Sequence, residues 1–536
     1  MNYPKDLREY LEIIEAKGRL VRIKREINKD TELHPLVRLQ FSGLPQEERK
    51  VFLFENVVDA RGKKYDVPVA VCLLGVSRDI AAVSMNCDPD RIADKWVEVR
   101  SNPIEPVIVS DGPVHEEVHM GDGLLDHGGL EEFPIPISTP GYDAGPYIAT
   151  PHWVTKDPET GISNVGTYRA QVKSPTRTGI QWDHSGRHIA QHWAKCRERG
   201  IPLQAALVVG TAPNITHISM TKLPTDVSEF AFAGAIAGRP VELVKCKTID
   251  VEVPAFAEIV LEGELSMDEL EPEAPFGEAL GYMGKRKWNP YFTVKCITHR
   301  KNPIWQAFVA QAPPNEESFV ACKNREGSLY KYLTEERQQP WVTDVTWHEP
   351  TTIGLVVIKV AQKEQAKVWE TLEAVSEWLI DNLPITKIVT AVDEDIDARD
   401  ADALNWAFCW RVQPHRDLRI KTVPTVMLFD PSIAPPEVAK EYGTGSQRLP
   451  ESSHLLVNAT MKWDYPPVSL PKKEFMERAL QIWREEKLPP LKLKEPWWGY
   501  NLGAWSPEED EQAMMSVRGE YERVGDILAE QRKKVD

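Results

Sequence analysis

The sequence predicts a mixed α/β protein of more than one domain, and three observations carry that reading. Helical stripes and buried strand runs alternate in the first hundred residues. From about Pro113 the texture changes to short β-prone runs broken by Pro and Gly. Beyond Gln339-Pro340 an apolar strand, a striped helix and a second strand follow at the spacing of a βαβ unit. The expected division is an N-terminal α/β lobe over 1–112, an antiparallel sheet or barrel over 113–338, an α/β domain over 339–486 and a terminal segment over 487–536. At 536 residues and 42% hydrophobic content the chain can bury a core in each.

In the first lobe Leu7, Tyr10, Leu11 and Ile14 recur at helical spacing, Gly18 ends the helix, and Leu20–Ile23 follows as a strand. Val51–Phe54 and Val67–Leu74 read as buried strands, and Ser77 can cap a helix running to Val83. In the middle region the clearest strands are Tyr147–Thr150, Gly166–Val172, Gln204–Val209, Val241–Cys246, Ala257–Glu262, Tyr291–Ile297 and Ile304–Val309. Glu229–Ala237 reads as a helix ended by Gly238, and Pro313–Glu317 opens another. In the third region Ile353–Val360 is nearly all apolar. Val368, Leu372, Val375 and Leu379 stripe the helix behind it, and Ile388–Val392 is the next strand, a pattern that favours a parallel pair. Trp497, Trp498, Tyr500 and Trp505 then precede Ser506-Pro507-Glu508-Glu509, a capping box that starts a terminal helix expected to run to about Lys534 and to pack in a homo-oligomer.

The formal charge of -17 disfavours a nucleic-acid partner, because phosphate binding needs a basic face. No apolar run reaches the roughly 20 residues needed to span a bilayer, and the start lacks a signal peptide's apolar core, so a cytoplasmic protein is expected. The seven cysteines have no C-x-x-C pair, which fits reduced, mostly buried thiols.

Polar chemistry concentrates between Ile162 and Gly281. Asn164-Val-Gly-Thr-Tyr-Arg169, Arg187-His188, Ser228-Glu229 and Glu271-Pro-Glu-Ala-Pro-Phe-Gly-Glu278 bring an amide, arginines, a histidine and carboxylates into four short segments. Glu273 and Glu278, with Pro275 and Gly277 between them, do not share a helix face. A loop can aim both into one cleft, where a carboxylate reached by Arg169 stays ionised and the other, in an apolar pocket, is raised to act as a general acid. A rival pattern is His184, His188 and His192 at i, i+4 and i+8 on one helix, a face that could bind zinc in a hydrolase, although the acid beside the first histidine is missing. Glu229, in the first turn of its helix, also complements the helix dipole. Asp393, Glu394, Asp395 and Asp397 lack EF-hand spacing and read as an acidic loop at a strand end.

These motifs, in this order, resemble the UbiD-like decarboxylases that use prenylated flavin mononucleotide. Phe133-Pro-Ile-Pro136, Gly145-Pro-Tyr-Ile148 and Val392–Asp397 extend the likeness over nearly the whole chain, from the first helix to about Trp463. The resemblance implies a split β-barrel similar to that of flavin reductases, and a carboxy-lyase acting reversibly on an aromatic or α,β-unsaturated acid. It implies a cofactor site formed by Asn164, Val165, Gly166, Thr167, Tyr168, Arg169, Arg187, His188, Glu229 and Lys387. Asn164, His188 and Glu229 would hold Mn²⁺ or Mg²⁺, with K⁺ on backbone oxygens around Ile218, Ser219 and Thr221. Arg169 would orient the carboxylate, Glu273 would hold Arg169, and Glu278 would donate the proton. A flavin prenyltransferase would supply the cofactor, and homodimers or assemblies of dimers are implied. Trp406–Arg411 matches a family run except that Trp410 stands where a smaller Thr is common, and if it faces the pocket it reshapes the substrate site. Two other classes are a non-catalytic cofactor carrier or carboxylase subunit, and a flavin reductase, for which no G-x-G-x-x-G fingerprint is found.

Overall fold

The computed structural model describes the chain apart from residues 1–2, 183–185, 222, 224–226, 274, 279, 285, 425–429, 434–450, 492, 494–502 and 535–536. The first helix, Leu7–Ala16, buries Leu7, Tyr10, Leu11 and Ile14, the stripe that its spacing predicts. Strands Leu20–Ile23 and Val51–Phe54 pair in parallel, and the latter pairs antiparallel with Val69–Val71. The fourth strand of this sheet is Trp305–Gln306, far along the chain. What reads as a six-residue barrel strand, Ile304–Val309, is therefore a two-residue strand that returns to the first lobe. Ser77 occupies its predicted cap position, but its hydroxyl donates to Asp79 and accepts from Arg19 instead of capping a helical amide.

The middle region curls. Its antiparallel sheet runs in the order Ser163–Thr167, His152–Lys156, Leu203–Val209, Ile259–Leu265, Tyr291–His299, Arg177–Gly179, Ala170–Ser174, Tyr147–Ile148, with Glu117–Met120 added on Tyr291–His299. Thr167 and Ala170 are three residues apart, about 11 Å at full extension. Yet their strands stand first and seventh of the eight in that order, so the sheet must bend until its two sides approach. The expected single strand Gly166–Val172 is thus two strands broken at Tyr168–Arg169. That break is the seam of a half-barrel, and Trp153 Nε1 donates to the Tyr168 carbonyl across it at 2.7 Å.

Helix Glu229–Ala237 ends at Gly238, whose φ of 72° is the left-handed conformation that glycine adopts freely. Helix Glu316–Lys331 starts at a capping box on Asn315. Its Phe319 and Val320 join the cores of the first two regions, while Cys322 and Leu329 pack into the third, so the helix bridges them.

The third region is a five-stranded sheet in the order Val342–Trp347, Leu355–Val360, Ile388–Asp393, Glu451–Ala459, Leu418–Pro424. Leu355–Val360 and Ile388–Asp393 are parallel, joined by helix Gln365–Asn382, as the βαβ spacing predicts. The acidic loop after the second of these is not merely solvated: Arg411 binds Asp393 at 2.7 Å and Asp395 at 2.6 and 2.8 Å, and all three are buried. Trp410 is 72% exposed.

The terminal capping box on Ser506 forms as read, but the helix ends at Val517. Gly519, with φ 84°, turns the chain, and a second helix covers Tyr521–Glu530. Trp497, Trp498 and Tyr500 lie outside the described residues. Among the described residues no helix is long and apolar enough to cross a membrane.

Candidate functional site

Arg169 stands at the strand break, where the backbone leaves one side of the curled sheet for the other. Its guanidinium grips Glu273 with two nitrogens, Nε to Oε1 at 2.8 Å and Nη2 to Oε2 at 2.7 Å, and reaches Glu278 Oε1 with Nη1 at 2.5 Å. The expectation that Arg169 pairs with one carboxylate and leaves the other in an apolar pocket is therefore corrected: it bridges both. The two acids differ in setting instead. Glu273 is 0% exposed at the end of a short strand, Glu271–Glu273, paired with Lys287–Asn289. Glu278 is 19% exposed and its Oε1 accepts from Arg169 Nη1. Burial alone would lower Arg169, but Glu278 and Glu273 outweigh it and raise it further above its ordinary value, so it stays cationic.

Glu278 is aimed by a tight loop. Its amide donates to the Tyr282 carbonyl and Gly284's amide to the Phe276 carbonyl, and Gly281 turns at φ 101°. Gly284 is needed for space: a Cβ there would lie 2.4 Å from Glu278 Oε1 and 3.3 Å from Arg169 Nη1. Behind the network Tyr147, Phe276, Phe308 and Ala310 form a small apolar cluster. Arg169 lies 5.2 Å over the Phe276 ring, and the Tyr147 hydroxyl donates to Glu273 Oε1 at 2.9 Å. Asp143 borders the same network. Burial raises its carboxyl to about 6, although it accepts the Thr139 amide at 2.7 Å.

The second cluster is held by the strand that ends beside Arg169. Asn164 Oδ1 and Glu229 Oε1 lie 2.9 and 3.4 Å from His188 Nδ1. His188 is the first residue of helix His188–Arg199, and Glu229 begins its own helix, so two helix starts face one strand. Glu229 Oε2 also accepts the Val165 amide at 3.0 Å, which fixes the carboxylate's orientation. An amide oxygen, an imidazole nitrogen and a carboxylate oxygen thus converge, a hard and borderline donor set suited to Mn²⁺ or Mg²⁺. The residues fit the expected ion. Gly166 lies under the Tyr168 ring, where a Cβ would be 2.6 Å from it, and Thr167 Oγ1 is 2.8 Å from Ser219 Oγ.

Other expected residues have more ordinary partners. The Ile218 carbonyl accepts the Thr221 amide, the Thr221 hydroxyl donates to the His217 carbonyl, and Ser219 contacts His152. Arg187 precedes the His188 helix, close enough to Arg325 that their charges oppose one another. Lys387 is held by Asp430 and Ser432 of the third region. Of the histidine face, the described residues contain only His188 and His192. The helix begins only at His188, His184 lies outside the described residues, and the buried His192 bonds Thr155 at 2.9 Å.

Sequence reasoning did not identify Tyr147, Asp143 or Gly284 as site residues. Tyr147 lies in the Gly145–Ile148 run already noted as a landmark. A lone glycine spaced three from Gly281 was the available signal for Gly284.

Family models match all three regions of the chain. Those of the 3-octaprenyl-4-hydroxybenzoate carboxy-lyase N-terminal, Rift-related and C-terminal domains cover residues 11–99, 107–313 and 319–446. A Synechocystis sp. protein described as uncharacterized is 34% identical over 78% of this chain and 84% of its own, and one from Archaeoglobus fulgidus is 30% identical over 90% and 98%. Among solved structures, the UbiD-class enzyme HmfF from Pelotomaculum thermopropionicum in complex with FMN is 29% identical, with TM-score 0.75 over 88% of this chain and 99% of its own. The vanillic acid decarboxylase of Sedimentibacter hydroxybenzoicus in open form is 28% identical, with TM-score 0.71 over 90% and 99%. Matched from its first helix through its third region, and sharing the curled sheet, the chain belongs to the UbiD family of carboxy-lyases.

Proposed function

We propose that this protein is a prenylated-FMN-dependent enzyme that reversibly decarboxylates an aromatic or α,β-unsaturated carboxylic acid, with Arg169, Glu273 and Glu278 as its catalytic residues. The observation that carries this reading is the Arg169 bridge between a buried and a partly exposed glutamate, set against an apolar wall and next along the chain from the Asn164, His188 and Glu229 cluster. When bound, prenylated flavin supplies the electron sink that carbon dioxide loss requires. Asn164, His188 and Glu229 would hold a divalent ion, and Arg187 and Lys387 would supply positive charge for the cofactor's phosphate.

Arg169 has five N–H donors, and its two glutamates take three. The remaining two can receive the substrate carboxylate. Glu278, the more exposed of the two acids at 19% against 0%, is the proton carrier in this reading. Glu278 then delivers its proton to the carbon from which carbon dioxide departs. Glu273, fixed by Tyr147, keeps Arg169 in place. Run in reverse, the same groups carboxylate.

Glu278→Gln removes the proton and preserves the shape. The variant should keep its flavin and lose carbon dioxide release across a panel of aryl and unsaturated acids that the unaltered enzyme accepts. Undiminished release by the glutamine variant would sink the assignment. The protein is expected to work as a homodimer or an assembly of dimers, loaded by a flavin prenyltransferase.

A further inference from the structure

We infer that His119, Glu132 and His299 form a separate metal site where strand Glu117–Met120 joins the curled sheet, built for a divalent first-row transition cation, zinc by preference. Strand Glu117–Met120 pairs antiparallel with Tyr291–His299, with Ile297 opposite His119. Residues opposite one another share a face, and so do residues two apart, so His119 and His299 stand diagonally on the same side of the sheet. Their Nε2 atoms are 2.9 Å apart. The 3-10 turn Gly129–Glu132 brings a carboxylate over the pair, with Oε1 3.5 Å from His299 Nε2 and Oε2 3.9 Å from His119 Nε2.

Those separations have the dimensions of a coordination triangle. Two ligands bonded to a tetrahedral zinc ion lie about 3.3 Å apart; here the two nitrogens are 2.9 Å apart, a different carboxylate oxygen approaches each nitrogen at 3.5 and 3.9 Å, and one ligand atom from each residue lies within 4.8 Å of the other two. The proton arrangement also fits. His299 Nδ1 is 2.8 Å from the Arg300 carbonyl and donates to it, so the lone pair sits on Nε2 and points into the triangle. The side chains are 11%, 21% and 7% exposed for His119, Glu132 and His299, so one side of the triangle opens to water. The His127 ring, 4.6 Å from that of His119, stands beside this opening.

Two imidazoles with a carboxylate suit zinc better than the amide-containing cluster at Asn164 does. An ion here would tie the added strand Glu117–Met120, the end of Tyr291–His299 and the turn that leads into Phe133–Pro136. It would therefore be a structural clasp, set apart from the network around Arg169.

The test uses full-length protein stripped with chelator and titrated with Zn²⁺ alone, in a Glu229→Gln background that removes a ligand of the other cluster. One tight equivalent of zinc with a rise in Tm is expected. His119→Ala or His299→Ala added to that background should weaken this uptake at least about 100-fold, more than the loss of an outer hydrogen bond to a ligand costs. Glu132→Gln, nearly isosteric, should weaken it while leaving the far-UV circular dichroism unchanged, which covers the case of a histidine variant that fails to fold. Zinc uptake unaffected by His119→Ala or Glu132→Gln would overturn the site. So would a Glu229→Gln protein that takes up no zinc, leaving only an imidazole-to-imidazole hydrogen bond.

Discussion

Replacing Gly284 with alanine tests whether the Arg169–Glu278 contact matters in its present geometry. The added Cβ would sit 2.4 Å from Glu278 Oε1, closer than carbon and oxygen tolerate, so the carboxyl must withdraw by nearly 1 Å. Gly284 is not among the positive-φ glycines, so alanine fits the backbone there. The consequence falls on the 2.5 Å bond from Arg169 Nη1. A charge-assisted hydrogen bond contributes about 1.5–3 kcal/mol, which corresponds to roughly a 10- to 150-fold change in rate if all of it is felt in the transition state. A displacement of about 1 Å in a reacting group independently costs on the order of 100-fold. Steady-state kcat/KM on the acid that the enzyme accepts, with flavin content and Tm measured on the same sample, is the assay. A drop of about 100-fold with both controls unchanged is expected. Full activity would refute the role given to the contact, and loss of activity in step with loss of flavin would refute the claim that the effect is local.

Two further perturbations follow. Tyr147→Phe removes the hydroxyl that donates to buried Glu273 and should cost about 1 kcal/mol in denaturant unfolding and up to about tenfold in kcat, with flavin retained. Asp143 is raised from its ordinary value to about 6 by burial, so its contribution to stability is fully present below about pH 4 and is lost as pH rises through about 6; Asp143→Asn should flatten unfolding free energy across that window.

Much of this arrangement is legible in the sequence because it is local. The helix at Glu229 ends where Gly238 says it should, and the apolar strands around helix Gln365–Asn382 pair as their spacing implies. What the sequence hides is contact between distant segments. Trp305–Gln306 belongs to the first lobe because its partner strand is Val69–Val71, more than two hundred residues earlier. The break at Tyr168–Arg169 is invisible in a continuous β-prone run, since it arises from closure of the sheet and not from a breaking residue. Asp393 and Asp395 read only as an acidic loop at a strand end, and nothing in their spacing shows that Arg411 folds back on them. His119 and His299 meet only through strand register, which no motif spacing encodes. In the site itself the residue types were readable, but the sharing of one arginine by two glutamates depends on a loop geometry set by Gly281 and Gly284.

The most direct measurement is the absorbance spectrum and cofactor mass of the protein, purified without oxygen after co-expression with a flavin prenyltransferase, alongside its Glu229→Gln variant. The account predicts the mass of prenylated FMN together with manganese or magnesium, both diminished in the variant because Glu229 orients the cluster beside His188. Protein that carries no flavin under these conditions, or that binds it equally well without Glu229, would contradict the account.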